Sequence, residues 1–317
     1  MATASADIIL HHYPESPFAE KVRLLLGFKK LAWRSVRIPI IMPKPDVVAL
    51  TGGYRKTPIL QIGADIYCDT ALIARLLDVL APNPPLEPAP LAASAALLAA
   101  WADTVGFSAG VAYATQPGGL QAMFAHFPPE QLAAFAADRK AFREGSTVPR
   151  MGLEPATTIL KVNLARLEKQ FNAYKHPFVL GETVSIADFS LYHPLWFITR
   201  ATPVAVIFDA YPLVKAWMAR IAAFGHGSFE DLDSGQAVEI ARAGKRVPVS
   251  VAPDASAVAA GTRVTVAATD YGINPVAGKL VGASLDEWVI ERDDPRAGPV
   301  NVHFPRIGYA LAVVEPS

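Results

Sequence analysis

The chain has 317 residues, of which 52% are hydrophobic, and its 29 basic residues balance its 29 acidic ones. This length predicts two or three domains, and the zero net charge argues against a nucleic-acid partner, because phosphate binding requires a basic face. Cys68 is the only cysteine, and a lone thiol fits a reducing compartment. We find no basic region followed by an apolar stretch at the N-terminus and no run of 18 apolar residues, so we expect a cytoplasmic protein without membrane contact.

The first segment, residues 7–81, alternates strand and helix patterns. One helix starts at Phe18, where apolar residues recur at helical spacing, and a second covers 69–80. Strands are predicted at residues 7–13, 33–38, 58–62 and 65–67. The resulting order, β-α-β-(turn or helix)-β-β-α, predicts a mixed sheet with helices packed against it.

The second segment contains only helical patterns. It follows a proline-rich linker at residues 82–90, which stiffens the connection and excludes a helix there. Helices are predicted at residues 91–113, 129–143, 154–174, 185–200 and 212–224. The first of these is expected to bend near Gly106 or Gly110, and together the helices predict a bundle.

The third segment, from about Gly235, is rich in valine and isoleucine. Turn residues separate strand patterns at 262–268, 276–285, 287–292 and 300–314, which predicts a small antiparallel sheet or barrel. His303 and Arg306 lie close together here, but a single histidine in a strand is usually structural and no metal-ligand set accompanies it. We predict no metal site and assign neither residue a role.

A turn at residues 14–18 joins the first strand to the first helix. Ser16 stands at the N-cap position and Pro17 at the first helical position. A helix start offers unpaired N–H groups and the positive end of the helix dipole, which stabilise an anion such as a thiolate. A hydroxyl that donates to a thiolate also lowers the pKa of the thiol. The alternative is that Ser16 only caps the helix.

Two further motifs open the third strand and the last helix of the first segment. Thr57 precedes Pro58, and a cis bond here would expose the Thr57 backbone to an extended peptide ligand; the alternative is an ordinary trans proline at a strand edge. Asp69 and Thr70 begin the helix at 69–80, where a hydroxyl and free N–H groups hold a carboxylate while the acid meets an ammonium group. The alternative is capping by Asp69.

The order and spacing of these motifs resemble those of the glutathione transferase family. The stretch 13–26, with Ser16, Pro17 and Phe18, is similar to the serine-type active-site turn of the plant tau class. The omega class has a similar turn with cysteine in the leading position. The resemblance covers roughly residues 7–227 and implies glutathione as co-substrate.

The resemblance implies a role for six residues. Ser16 matches the catalytic, thiol-activating serine, and the other five match glutathione-binding positions: Lys56, Thr57, Pro58, Asp69 and Thr70. Thr57 provides the main-chain contact before the cis-proline, and Thr70 replaces the serine of the family's acid–serine pair. A further family lysine corresponds to Lys44.

The implied architecture is multi-domain α/β plus all-α plus small all-β. It consists of a thioredoxin-like glutathione-binding domain (1–81), the linker (82–90), an all-helical domain (91–227) and a C-terminal antiparallel β module (235–317). The β module lies outside the family's two-domain pattern and resembles extensions in some bacterial and fungal transferase-like proteins. In the helical domain, residues 181–188 are similar to the family's capping box, so we expect Asp188 to serve folding.

Two functions follow from the resemblance. The first is an enzyme that activates glutathione at Ser16 and adds it to a hydrophobic electrophile, as in detoxification, with residues 115–151 as a lid over an apolar pocket. The alternative is a non-catalytic binding or scaffold protein that uses its C-terminal β domain for a partner. The resemblance also implies a homodimer.

Overall fold

A computed structural model describes residues 7–252 and 255–315. The order predicted for the first segment is confirmed, and its ambiguous turn or helix is a short helix. The elements are β1 (Ile8–His12), α1 (Pro17–Phe28), β2 (Trp33–Arg37), α2 (Pro45–Thr51), β3 (Ile59–Ile62), β4 (Asp65–Cys68) and α3 (Thr70–Leu80).

The second segment is helical, as predicted. Its α-helices are α4 (Ala92–Trp101), α5 (Phe107–Ala114), α6 (Pro117–Met123), α7 (Pro129–Phe142), α8 (Leu153–Tyr174), α9 (Ile186–Arg200) and α10 (Pro212–Ala222). A π-helical segment, Ala102–Gly106, joins α4 to α5 at the predicted bend, and a 3₁₀ helix, Thr202–Ala210, precedes α10.

Helix α9 is fixed at its start by a buried aspartate. The Asp188 carboxylate accepts hydrogen bonds from the backbone N–H of Ser185 and Val179, both at 2.9 Å, and from the indole N–H of Trp217, also at 2.9 Å. These bonds satisfy donors that would otherwise lie unpaired in the core. The carboxylate therefore ties the start of α9 to α10 and to the preceding loop.

The helix from Ala92 to Ala114 is more apolar than the others. It is 23 residues long and apolar enough, by length and composition alone, to cross a membrane, with a mean hydropathy of 1.4. Its alanine content explains this mean hydropathy. Alanine is apolar and a strong helix former, so an alanine-rich helix suits a packed bundle equally well. In the structure, α4 and α5 pack against α8 and α9 in the bundle.

The third segment contains a helix as well as the predicted strands. Between the helical segment and this one lies β5 (Phe229–Asp231), a short strand that the sequence did not predict. The elements that follow are α11 (Ser234–Ala243), β6 (Arg263–Ala268), β7 (Val276–Ala283), β8 (Glu287–Asp294), β9 (Gly298–Pro305) and β10 (Tyr309–Val313). Helix α11 was not predicted from the sequence, although Asp233 and Gln236 form a capping box at its start.

The C-terminal strands continue the sheet of the first segment. The strand order is β10-β6-β7-β8-β9-β4-β3-β1-β2-β5, in one ten-stranded sheet. Strands β6 to β10 pair antiparallel, as predicted, whereas β9 pairs in parallel with β4 and places Tyr67 beside His303. The sequence analysis predicted the strands but not this connection; its domain boundary at residue 235 stays a prediction.

A buried ionic cluster lies on the β4–β9 pair. The ring nitrogens of His303 lie 2.9 Å from Asp65 Oδ1 and 2.5 Å from Glu287 Oε1, and Tyr67 stacks on the imidazole with ring centroids 4.3 Å apart. Burial lowers the pKa of His303, but the hydrogen bonds and charges of the two carboxylates outweigh it, so the pKa lies above its ordinary value. His303, unassigned from the sequence, therefore joins the two parts of the sheet.

We predict that His303→Gln destabilises the protein in a pH-dependent manner. Because the pKa is raised in the folded state, the histidine's contribution is complete below the unfolded pKa of about 6.5 and is lost as pH rises through the folded pKa. Urea unfolding of wild type and variant across this range measures it. The exposed His126→Gln is the control, and a difference between wild type and His303→Gln that grows with rising pH would contradict the assignment.

Candidate active site

The turn before α1 holds Ser16 in a capping conformation. Its backbone is extended (φ −72°, ψ 120°), and its Oγ accepts the N–H of Ala19 at 3.1 Å. Pro17 starts the helix with no N–H to satisfy. The side-chain oxygen therefore accepts from the helix while its O–H hydrogen can donate to one partner. Ser16 is buried, and the Tyr13 phenol lies within hydrogen-bonding reach of its hydroxyl. Capping and donation are therefore compatible, and an anion at this point would replace Tyr13 as the acceptor.

Tyr13 and Lys44 stand over this turn. Burial raises the pKa of the Tyr13 phenol, while Arg139 and the Ser16 hydroxyl act in the opposite direction. The Lys44 amine lies 5.4 Å from the centre of the Tyr13 ring, and burial, followed by the neighbouring charge of Arg139, lowers the Lys44 pKa to about 8. Lys44 is 5% exposed. A buried cation thus lies against Tyr13, three residues before Ser16.

Arg23 stabilises the turn through hydrogen bonds to its backbone. Its guanidinium donates to the carbonyl oxygens of Tyr13 (3.4 Å) and Pro14 (3.0 Å) and pairs with Glu20 at 2.7 Å. Both charged side chains are less than a tenth exposed. Glu20 also accepts from His226 at 3.0 Å. This buried network fixes the carbonyls that precede Ser16.

We predict that Arg23→Leu destabilises the protein by about 3–5 kcal/mol, because it leaves the buried Glu20 charge with an incomplete partner set. Urea unfolding measures the loss. The double variant Glu20→Gln/Arg23→Leu should recover part of it, since no buried charge then remains unpaired. A loss below about 1 kcal/mol in the single variant would mean that the pair is as weak as a surface ion pair.

The peptide bond between Thr57 and Pro58 is cis, as expected. In the described residues 7–252 and 255–315, the N–H and C=O of Thr57 form no backbone hydrogen bond. Pro58 is buried, whereas Thr57 is half-buried. The Thr57 backbone is therefore open to pairing with an extended ligand.

Asp69 and Thr70 begin α3, and both are tied to other parts of the chain. Asp69 has a positive φ of 75°, a conformation that costs non-glycine residues about 1–3 kcal/mol and occurs often at ligand sites. One Asp69 oxygen accepts the N–H of Ala71 at 2.9 Å, and the other accepts the hydroxyl of Tyr309 at 3.1 Å. The capping alternative is present, together with a contact from β10 that the sequence did not predict.

Below Thr70 lies a buried network that joins the two domains. Lys21 Nζ donates to Thr70 Oγ1 at 3.4 Å and to Asp103 Oδ2 at 2.6 Å, and Asp103 Oδ1 lies 2.9 Å from His193 Nε2. Burial alone would raise the pKa of Asp103, but Lys21 and His193 lower it to about 2. Because Lys21 donates to the oxygen of the buried Thr70, the Thr70 O–H group can itself act as a donor.

Lys56 is paired with a residue of the C-terminal segment. Its Nζ lies 2.6 Å from Asp270 Oδ1, with the Lys56 and Asp270 side chains 16% and 33% exposed. The same amine lies 4.5 Å from the centre of the Tyr271 ring and 5.6 Å from that of Tyr309. The loop between β6 and β7 thus reaches the residue expected to hold glutathione.

Helix α7 contacts the first domain through Asp138. Asp138 pairs with Arg55 at 2.7 Å and with its neighbour Arg139, and it accepts the N–H of Met42 at 3.1 Å. The segment 115–151, predicted as a lid, therefore contacts the first domain beside Lys44. Cys68 is buried, and burial raises the pKa of its thiol, which fits the inert thiol expected from the sequence.

The six residues expected at the site lie at the ends of adjacent elements: α1, β3 and α3. Whether they bind glutathione stays a prediction. Residues that the sequence did not assign to the site surround them. Tyr13, Arg23 and Arg55 lie near the predicted motifs in the chain, whereas the others come from distant parts: Asp138, Asp270, Tyr271 and Tyr309. Only Arg23 had a local signal, because it lies seven residues, or two helical turns, after Ser16.

Comparisons with known proteins agree with this arrangement. The family model for the N-terminal domain of glutathione S-transferases matches residues 10–85, and that for the C-terminal domain matches residues 153–224. A crystal structure of a GST-like protein from Pseudomonas syringae is 41% identical, with a TM-score of 0.79, covering 98% of this chain and 100% of that chain.

More distant relatives match parts of the chain. Glutathione S-transferase 2 from Triticum aestivum is 33% identical over 81 residues, which are 24% of this chain but only 28% of the wheat protein. Structures of a Rhodospirillum rubrum glutathione S-transferase and of a tau-class enzyme from mango (Mangifera indica) are 20% and 17% identical. Both have a TM-score of 0.50; they cover 68% and 69% of this chain, and 88% and 90% of their own, and show the fold alone.

Proposed function

This protein belongs to the glutathione S-transferase family, and from that premise we propose that it binds glutathione beside Pro58 and activates the thiol at Ser16 for attack on a hydrophobic electrophile. The single observation that carries the proposal is the position of Ser16 at the start of α1: its Oγ accepts from Ala19, and its O–H hydrogen, which faces the Tyr13 phenol, can turn to an anion. A sulfur anion placed there would accept that hydrogen and meet the positive end of the helix dipole.

The groups around Ser16 match the two ends of the tripeptide. The open backbone of Thr57 suits the main chain of an extended peptide. The Thr70 hydroxyl and the α3 N-terminus suit the γ-glutamyl carboxylate, and Asp69 suits its ammonium group. The buried Lys44 supplies a cation for the carboxylate at the other end.

An electrophile would enter on the side of the helical domain. Phe18 packs against Phe107, with ring centroids 4.5 Å apart, and against His193 at 4.6 Å. Phe107 begins α5 directly after the π-helical segment, and Phe18 is two residues from Ser16. An apolar substrate seated on these rings would lie next to the sulfur, where proximity accelerates addition.

We predict that Ser16→Gly lowers the conjugation rate with a model electrophile such as 1-chloro-2,4-dinitrobenzene by about tenfold or more. The reason is that loss of the donated hydrogen bond raises the bound thiol's pKa by about one unit, or 1.4 kcal/mol. Glycine is chosen because it costs only a few tenths of a kcal/mol at an N-cap. Thiolate absorbance across pH measures the pKa of bound glutathione.

Ser16→Thr is the matched control, since it keeps a hydroxyl and should retain most of the activity. Glutathione affinity should change little in either variant. An unchanged conjugation rate and thiol pKa in Ser16→Gly would reduce Ser16 to a helix cap.

A second candidate function is favoured by one observation. Lys56 and Asp69, both expected to contact glutathione, already have partners in the C-terminal segment. This arrangement suits a non-catalytic protein of the same fold that uses its C-terminal strands for a partner. Calorimetry separates the two, because absence of glutathione binding at millimolar concentration favours the second candidate. A homodimer and a cytoplasmic location are expected under both.

A further inference from the structure

The loop between β6 and β7, residues 269–275, is packed into the proposed glutathione groove. The Tyr271 side chain lies against residues predicted to line this groove. The Lys56 amine is 4.5 Å from the centre of the Tyr271 ring. Burial raises the pKa of the Tyr271 phenol, and the charges of Asp270, Asp69 and Tyr13 act in the same direction. Lys56 lies just before β3, Asp69 caps α3, and Tyr13 lies in the turn before α1. The loop thus stands where an extended tripeptide would lie.

The loop is held in place by the segment that follows α7. The backbone N–H of Thr147 donates to the carbonyl of Asp270 at 2.9 Å, and the Thr147 hydroxyl donates to the carbonyl of Thr269 at 2.6 Å. The N–H of Gly272 donates to the carbonyl of Phe142 at 3.0 Å. The loop is therefore a fitted part of the structure with defined contacts on both sides.

Gly272 shows how close this fit is. Its φ of 61° is left-handed, and a Cβ atom at this position would lie 2.4 Å from the Phe142 ring. Only glycine combines this conformation with this approach. The Phe142 ring in turn meets Tyr271 edge-on, with centroids 5.4 Å apart. Tyr271 is thereby aimed towards Lys56.

The chemistry of the contact mimics that of a ligand. Asp270 presents a carboxylate to Lys56, which is the interaction expected of a carboxylate of glutathione. The hydroxyl of Tyr309, on β10, donates to Asp69 Oδ2, where the ligand's ammonium group would donate. Tyr54 lies behind it, with its Oη 2.8 Å from that of Tyr309. Two groups of the C-terminal strands thus satisfy two groups proposed to bind the tripeptide.

We propose that the β6–β7 loop is an internal competitor for glutathione, with Asp270 occupying the place of a ligand carboxylate on Lys56 and Tyr271 filling the groove beside it. This inference rests on the proposed function. Glutathione binds when the loop withdraws, and its carboxylate replaces Asp270 on Lys56. The affinity of the resting protein is reduced by the free energy that holds the loop in place.

The test is calorimetry with S-methylglutathione, which fills the groove but has no thiol to ionise. Loss of one partly exposed ion pair should improve binding, so we expect Asp270→Asn to bind about twofold to fivefold more tightly than wild type. Tyr271→Ala is the second variant and should shift affinity in the same direction. Asp293→Asn, an exposed carboxylate on β8, is the matched control and should leave affinity unchanged.

Equal or weaker binding by Asp270→Asn and Tyr271→Ala overturns the proposal, because Asp270 and Tyr271 would then be inert or part of the ligand site. Failure of all variants to bind overturns it as well. Thiol activation is tested separately: if Ser16→Gly leaves the thiol pKa unchanged, the proposed catalysis fails while tighter binding by Asp270→Asn still supports the competitor loop.

Discussion

The parallel pairing of β9 with β4 is the contact on which the arrangement of the site depends. It turns a sheet of the first domain into one of ten strands and places β6, β7 and β10 beside the predicted glutathione groove. Three backbone register pairs would be a modest contact alone, but the buried cluster of His303, Asp65 and Glu287 lies on it. An edge strand that is paired in this way is also protected from aggregation.

The consequence is a site assembled from three parts of the chain. The first domain provides the Ser16 turn and the start of α3, the helical domain provides α7 and the Lys21–Asp103–His193 network, and the C-terminal segment provides Asp270 and Tyr309. Each charged group expected to meet the tripeptide's ends, apart from Lys44, has a carboxylate or hydroxyl partner within the protein. Under the proposed function, binding of glutathione exchanges these partners, and its affinity depends on the C-terminal segment.

The sequence predicted most helices and strands, but it did not predict which strands pair with each other. Ser16 before Pro17 predicts a helix start by local chemistry, and Thr57 before Pro58 was recognised through the spacing of family motifs, so both were available without coordinates. The pairing of β9 with β4 was not, because apolar alternation predicts a strand but not its partner when 230 or so residues intervene. Helix α11 was missed because its short apolar pattern lies among loop residues.

The same limit explains the missed side chains. The Asp270–Tyr271–Gly272 sequence predicts a turn, and the chain bends there, but only the folded chain brings these residues to Lys56. His303 illustrates the converse, since its partners Asp65 and Glu287 are distant in sequence and its structural role becomes visible only through burial and charge. Long-range ion pairs leave no pattern in the local sequence. Helices and strands do so through their periodicity, and caps and turns through characteristic residues at fixed positions.

The most direct test of the claim that the C-terminal segment and the glutathione groove form one unit is amide hydrogen exchange with and without glutathione. The N–H groups of Thr147 and Gly272 bond across the loop boundary and report whether the loop is seated. The account predicts that saturating glutathione accelerates their exchange as the loop withdraws. Unchanged or slower exchange in the bound protein would contradict it, because the loop would then remain in place beside an occupied groove.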